Sequence, residues 1–102
     1  MQEFRIHFKT ELTDDVKGAR DWYDARAQGL GGEFYRAVRV AIAEVSRAPM
    51  AYQEIYKNYR KKFLSRFPYV LYFSVSADEI VFFGLFHCSR DPKKSFLSIE
   101  ER

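Results

Sequence analysis

Apolar and polar residues alternate at the start of the chain and then change to a helical spacing. Across residues 4–9 each apolar residue is followed by Arg, His or Lys, which predicts a strand with one buried and one solvated face. After Thr10, which can cap a helix at its start, apolar residues recur at helical spacing until a run of glycines follows Gln28. A second apolar stripe begins at Phe34, and Pro49 bounds it. The N-terminal half therefore predicts a strand followed by an αα-hairpin.

From Glu54 onward the period is two, and β-branched and aromatic residues become frequent. The predicted strands cover residues 55–58, 60–67, 69–76 and 79–87. If Ala77 and Asp78 form a tight turn, Val75 lies opposite Ile80 in the last hairpin.

This hairpin has two apolar faces. One is predicted to carry Tyr69, Leu71, Phe73, Val75, Ile80, Phe82 and Phe86. The other is predicted to carry Val70, Tyr72, Val81, Phe83, Leu85 and His87. The helical hairpin can cover only one face, so a partner is a candidate for covering the other.

The order of elements predicts an α+β fold in a single domain spanning residues 1–102. A strand and an αα-hairpin precede an antiparallel-dominated β-meander, with a short additional strand before it. Residues 93–99 predict a last short helix, with Phe96 and Ile99 packing back onto the sheet. Trp22 and Tyr23 are predicted to belong to the core, because their neighbours follow a core stripe.

Charge is distributed unevenly along a chain whose net charge is only +3. A run without any acidic residue carries Lys57, Arg60, Lys61, Lys62 and Arg66. Such a one-sided patch favours an anionic partner, either nucleic acid or an acidic protein segment. The single cysteine excludes an internal disulfide and suits the cytoplasm, and the sequence has no apolar run long enough to span a membrane. No metal site or cofactor is expected.

In order and spacing, several short motifs resemble the RelE/ParE superfamily of type II toxins, and within it the ParE-like, plasmid-stabilisation branch. The motifs are Trp22-Tyr23, Gly29-Leu30-Gly31, Phe34, Pro49, Arg60, Phe67-Pro68-Tyr69, Tyr72 and His87-x-x-Arg90-Asp91-Pro92. The resemblance covers essentially the whole chain. It implies a bacterial toxin neutralised by a cognate antitoxin, whose acidic, amphipathic C-terminal tail wraps around it in a hetero-oligomer.

Two mechanisms occur in the family that the sequence resembles. ParE-like members inhibit DNA gyrase, whereas RelE-like members cleave mRNA on the ribosome without a metal. RelE-like toxins usually carry an arginine in the strand after the Phe-Pro-Tyr corner, and Val70 stands at that position here. Because an apolar residue cannot stabilise a phosphorane, gyrase inhibition is the leading hypothesis, and mRNA cleavage is the alternative. A non-toxic binding domain of the same fold is the third reading.

The candidate site residues follow from these hypotheses. Binding of the antitoxin or target is assigned to Arg60, Lys62, Arg66, Tyr72, Phe83, Leu85, His87 and Arg90. If the chain is a nuclease, the catalytic residues are His87, Arg60, Arg66, Arg90 and Tyr72. In that case His87 titrates near neutral pH, the arginines bind phosphate and Tyr72 donates a proton or stacks a base.

Overall fold

A computed structural model describes residues 3–102 and contains three α-helices and five β-strands. The helices are α1 (Thr10–Arg26), α2 (Leu30–Arg47) and α3 (Pro92–Glu101). The strands are β1 (Arg5–Phe8), β2 (Glu54–Tyr56), β3 (Tyr59–Phe63), β4 (Tyr69–Ser76) and β5 (Glu79–His87). The α+β class, the αα-hairpin, the additional short strand and the last helix are confirmed.

The strands form one sheet in the order β1-β5-β4-β3-β2. Neighbouring strands are antiparallel except β1, which lies parallel to β5 at one edge. This edge position leaves β1 exposed along its whole length, so the prediction that it has one buried face is wrong. The apolar residue that anchors this end of the chain is Phe4, which packs against the core just before β1.

Several boundaries differ from the predicted ones for local reasons. The short strand predicted at 55–58 is β2 at Glu54–Tyr56, because the chain turns at Lys57, whose φ is 55°. Thr10 is the first residue of α1 rather than its cap, because Lys9 occupies the cap position. In the glycine run only Gly29 has a positive φ, of 85°, so α2 already begins at Leu30. β3 ends at Phe63, since the segment before β4 turns through Arg66, whose φ is 72°.

The main core lies between the αα-hairpin and one face of the sheet. Phe34 and Val45 of α2 are fully buried against Phe73 and Phe82, which are also fully buried. Aromatic contacts extend this core at one end, where the Tyr23, Phe67 and Tyr69 rings surround Phe34. Tyr23 is thus a core residue as predicted, whereas Trp22 is 51% exposed, so that part of the prediction is wrong.

A β-bulge reverses the faces of the last residues of β5. Val75 pairs with Ile80 as predicted, but Tyr72 pairs with Gly84, which leaves Phe83 as an extra residue in β5. After this shift Leu85 joins the core beneath the helices and Phe86 joins the opposite face. His87 pairs with Tyr69, whose ring lies 5.1 Å from the imidazole on the side of the main core. The predicted faces of these three residues are therefore wrong, because a single extra residue reverses the alternation.

An ion pair fills the space beside the bulge. Arg102 Nη1 donates to Asp15 Oδ2 at 2.7 Å and to the Phe83 carbonyl oxygen at 2.9 Å. Asp15 Oδ2 also accepts a 3.0 Å hydrogen bond from the backbone N–H of Leu85. A Cβ atom at Gly84 would collide with the Arg102 guanidinium, so only glycine fits here without displacing it. The Asp15–Arg102 ion pair thus connects α1, the bulge and the end of α3.

The second face of the sheet is covered by α3. Val70, Tyr72 and Phe86 are each 5% exposed, and they form a small core with fully buried Ile99. Phe96 packs against the same cluster, as predicted. The hypothesis that this face stays open for a partner is therefore wrong, because the last helix of the chain covers it.

The β4–β5 turn contains the strained residue Ala77, whose φ is 50°. Glycine adopts this region without the steric penalty of a Cβ atom. Ala77→Gly is expected to raise the free energy of unfolding by about 0.5–1 kcal/mol, measured by urea denaturation. Ala43→Gly, inside α2, should instead lower it by about 1 kcal/mol. Equal signs for the two variants would contradict the expectation.

Candidate functional site

The basic run predicted from the sequence is divided between the two sides of the sheet. Arg60 pairs with Phe73 across β3 and β4, and Lys62 pairs with Leu71, so both cations lie on the side of the main core. Arg66 follows β3 in the loop, where it reaches α2. The prediction of a one-sided basic patch is therefore wrong, because the alternation along β3 places Lys61 on the opposite face.

Each of these three cations already has a carboxylate partner. Arg60 donates to the Tyr52 carbonyl oxygen at 2.5 Å and lies 3.4 Å from Glu54. Lys62 lies 3.7 Å from Glu44, and Arg66 lies 3.3 Å from Glu33. The Arg60 side chain is only 13% exposed, so its role in this structure is to join β3 to the segment before β2.

Tyr72, His87 and Arg90 do come together, in a small pocket of about 100 Å³ at the end of the sheet. His87 Nδ1 accepts a 3.0 Å hydrogen bond from the Ser89 backbone N–H, so the neutral ring carries its proton on Nε2. The Arg90 guanidinium lies 4.4 Å from the centre of the Phe86 ring. Three of the five proposed nuclease residues are therefore adjacent, whereas Arg60 and Arg66 are elsewhere.

Two further residues of this pocket bear on its chemistry. Lys61, which was not selected from the sequence, supplies a cation beside Tyr72. Val70 lies in the same lining and offers no charge to a phosphate. Alternation along β3 could have identified Lys61, because it is opposite Tyr72 in the β3–β4 register.

Phe83 and Leu85 differ in accessibility. Leu85 is 3% exposed within the main core, so it cannot meet a partner in this structure. Phe83 is half-buried, with the Tyr59 ring 5.3 Å away and Lys9 Nζ 5.7 Å from its centre. Part of the Phe83 surface thus remains accessible.

An apolar groove that the sequence did not predict lies on the αα-hairpin. This hairpin groove has a volume of about 520 Å³ between β1, α1 and α2. Its apolar lining comprises Phe8, Leu12, Val16, Tyr35, Val38, Ile42 and Ala43. Phe8 is 53% exposed and Tyr35 is 38% exposed, so part of this apolar surface is open to solvent. The sequence signal was Phe8, which alternation assigned to a buried face.

Cations form the rim of the hairpin groove. Lys17 Nζ lies 2.9 Å from Asp21, and the Arg20 guanidinium lies 4.8 Å from the centre of the Tyr35 ring. Arg39 also lines the groove and has no ion-pair partner within residues 3–102. An apolar floor with a basic rim is complementary to an amphipathic segment that carries acidic residues.

Burial raises the pKa of Tyr23, Tyr69 and Tyr72 above the ordinary value of 10.0, and a hydrogen bond with Ser95 partly opposes this for Tyr72. Since the folded-state pKa is raised, the stability linked to these groups is complete below pH 10 and is lost as the pH rises through the folded-state values. Absorbance titration of tyrosinate should therefore show a class of tyrosines that ionises only above pH 10. Complete ionisation of all tyrosines in the folded protein with an apparent pKa of 10 or less would contradict this.

Within residues 3–102, no cluster of His, Cys, Asp and Glu is arranged to hold a metal ion. None of the helices in that range combines the length and apolar character needed to cross a membrane.

Comparison with solved structures confirms the predicted RelE/ParE-like fold. The structure is similar to a chain of the "Chromosomal ParDE TA system from P. aeruginosa", with a TM-score of 0.64 and 16% sequence identity. The match covers 82% of this chain and 95% of that chain. No protein-family model matches the sequence, and no curated protein does. At this identity the likeness establishes a shared fold only.

Proposed function

We propose that this chain is the toxin of a bacterial type II toxin–antitoxin pair, and that the hairpin groove binds the acidic, amphipathic tail of its antitoxin. The observation that carries the proposal is an open apolar groove with a basic rim, on a fold shared with a chain of a ParDE TA system. The exposed surfaces of Phe8 and Tyr35 do not contribute to the stability of the free chain, whereas a bound partner would bury them.

The groove is suited to a helix laid along it. Residues of both hairpin helices line the groove, so a docked helix would pack against α1 and α2 as a third helix. The apolar face of the tail would contact Val16 and Ile42, which are half-buried. Its carboxylates would lie near Arg39, whose charge is not neutralised by the fold.

For the toxic activity, we favour inhibition of DNA gyrase. RNA cleavage requires cations at the scissile phosphate, and Val70 occupies the floor of the pocket that contains Tyr72 and His87. Arg60 and Arg66, which would have supplied charge, are held by carboxylates elsewhere.

One observation favours the ribosome-dependent mRNA endonuclease as the second candidate. Tyr72, His87 and Arg90 share a pocket with Lys61, which gives a neutral acid, a titratable imidazole and two cations in one place. The Tyr72 phenol is protonated at neutral pH, as an ordinary phenol is, and burial raises its pKa further. The non-toxic binding domain is the third candidate.

Induced expression in bacteria tests the proposal, with and without the reading frame beside this gene. We expect normal growth when the neighbouring reading frame is expressed together with this chain, and growth arrest when this chain is expressed alone. Absence of arrest would leave only the non-toxic reading. After arrest, loss of supercoiling by purified gyrase supports the leading hypothesis, whereas intact supercoiling with new mRNA ends supports the endonuclease.

A further inference from the structure

A second groove lies on the other flank of α1, and we propose that it docks an acidic protein segment with a large apolar side chain. This Trp22 groove has a volume of about 720 Å³ between α1 and the ends of β4 and β5. Its lining includes Gly18, Ala19, Trp22, Tyr69, His87 and Arg90. The inference does not depend on the toxin function.

Gly18 leaves a gap in the side chains of α1 beside the groove. Gly18 lies in the middle of α1, where glycine is the least favourable residue after proline. An added Cβ atom would meet no other atom within 4 Å, and Gly18 is not among the residues with positive φ. The isolated chain therefore has no need of glycine here. The absent side chain leaves the α1 backbone open to close approach by a partner.

Trp22 lies one helical turn after Gly18 along α1. Its indole is 51% exposed at the edge of the groove. The Arg26 guanidinium lies 4.0 Å from the centre of the Trp22 ring, which restricts the ring on one side. Exposed tryptophan held in place is typical of residues that contribute strongly to binding at protein interfaces.

Charge identifies the chemistry of the occupant. Arg26 and Arg90 have no carboxylate partner within the described part of the chain, and His87 presents Nε2 as a donor. Of these donors, Arg90 and His87 line the groove together with the apolar Leu85 and Phe86, whereas Arg26 contacts Trp22 from outside the lining. The carboxylate in the lining, Asp15, is paired with Arg102. A carboxylate next to a large apolar side chain would satisfy both parts of the surface.

A protein segment fits this groove better than a nucleic acid does. Acidic residues outnumber basic ones along α1, with Glu11, Asp14, Asp15, Asp21 and Asp24 against Lys17, Arg20 and Arg26. The cations that line the groove are Arg90 and Arg102, and Arg102 is paired with Asp15. The groove can therefore neutralise a single carboxylate of a protein segment but not the successive phosphates of a nucleic acid.

The two grooves are lined by different residues of α1. The hairpin groove uses Leu12, Val16 and Arg20, whereas the Trp22 groove uses Gly18 and Trp22. A segment docked in the Trp22 groove therefore leaves the hairpin groove available. Binding at the two surfaces can be measured separately by variants of each.

The test is selection of a phage-displayed library of random dodecapeptides on the full chain, with counter-selection on the Gly18→Leu variant. We expect enriched clones that combine acidic residues with a large apolar one. The synthetic peptides should change the fluorescence of Trp22, the only tryptophan. Their affinity should fall about tenfold or more with Arg90→Glu, and should not change with Arg39→Glu in the hairpin groove.

Circular dichroism checks that each variant is folded. The Gly18→Ala variant should have a higher denaturation midpoint than the unchanged chain, because alanine is favoured in a helix. No enrichment over the counter-selection would overturn the proposal. Clones without acidic residues, or peptides that lose affinity with Arg39→Glu instead, would overturn it equally. Binding of single-stranded oligo(dT) that is lost with Arg90→Glu would assign the groove to nucleic acid.

Discussion

Asp15→Ala is expected to lower the free energy of unfolding by about 3 kcal/mol, one of the largest effects of any partly exposed position in this chain. The substitution leaves the Arg102 guanidinium without its counter-charge, although the Arg102 side chain is only 15% exposed. It also leaves the Leu85 backbone N–H at the bulge without its acceptor. Both losses occur at the junction of α1, β5 and α3, so α3 should be less well held against the sheet. Chemical denaturation followed by circular dichroism measures the change.

The neighbouring residue provides the matched control. Asp14 is exposed on the same turn of α1, so Asp14→Ala should change the free energy of unfolding by no more than about 0.5 kcal/mol. Arg102→Ala should have a smaller effect than Asp15→Ala, because Asp15 retains its hydrogen bond from Leu85. A double-mutant cycle isolates the coupling between the two side chains. Equal effects of Asp14→Ala and Asp15→Ala would show that the ion pair contributes nothing measurable.

Phe8→Asp combined with Arg39→Glu is expected to weaken binding of the antitoxin about a hundredfold or more. Phe8 supplies exposed apolar surface to the hairpin groove, and a carboxylate there would have to be buried beside the apolar face of the tail. Arg39→Glu reverses a charge that we expect to face acidic residues. Calorimetry with the purified antitoxin gives the affinity. In cells, the antitoxin should no longer prevent growth arrest by the double variant.

Arg47→Glu is the matched charge reversal, since Arg47 is exposed at the end of α2 and outside the groove. Its affinity for the antitoxin should stay close to that of the unchanged chain, and both variants should unfold cooperatively. If Arg47→Glu and Arg39→Glu weakened binding equally, the attraction would come from net charge rather than from the groove. Full affinity in the double variant would place the antitoxin on another surface.

The helices α1 and α2 and the strands β4 and β5 follow from periodicity, because each of them has enough residues for the spacing of its apolar residues to be recognised. The register of the last hairpin was also predicted as far as Phe73 and Phe82. The fold class is therefore accessible from the sequence, and the similar ParDE chain shares it at only 16% identity. Such low identity is sufficient because apolar spacing is retained by many different residues.

The candidate site was predicted less well than the fold. Proximity along the chain suggested one basic patch, but alternation along β3 separates Lys61 from Arg60 and Lys62. The carboxylate partners of Lys62 and Arg66 are Glu44 and Glu33, which are distant in sequence and become neighbours only when α2 packs on the sheet. A short motif cannot reveal whether a charge is already neutralised by such a residue.

By itself, the sequence determined the αα-hairpin, the meander, the last helix and the uneven distribution of charge, since these are local properties of spacing and composition. Only the tertiary structure decided which surfaces remain open. The bulge at Phe83 reversed the faces on which Leu85 and Phe86 lie. The helix α3 covers the face that the sequence analysis assigned to a partner. The Trp22 groove lies between α1 and the ends of β4 and β5, which are far apart in the chain, and the hairpin groove lies between the consecutive β1, α1 and α2. Both grooves exist only after packing has fixed the positions of these elements.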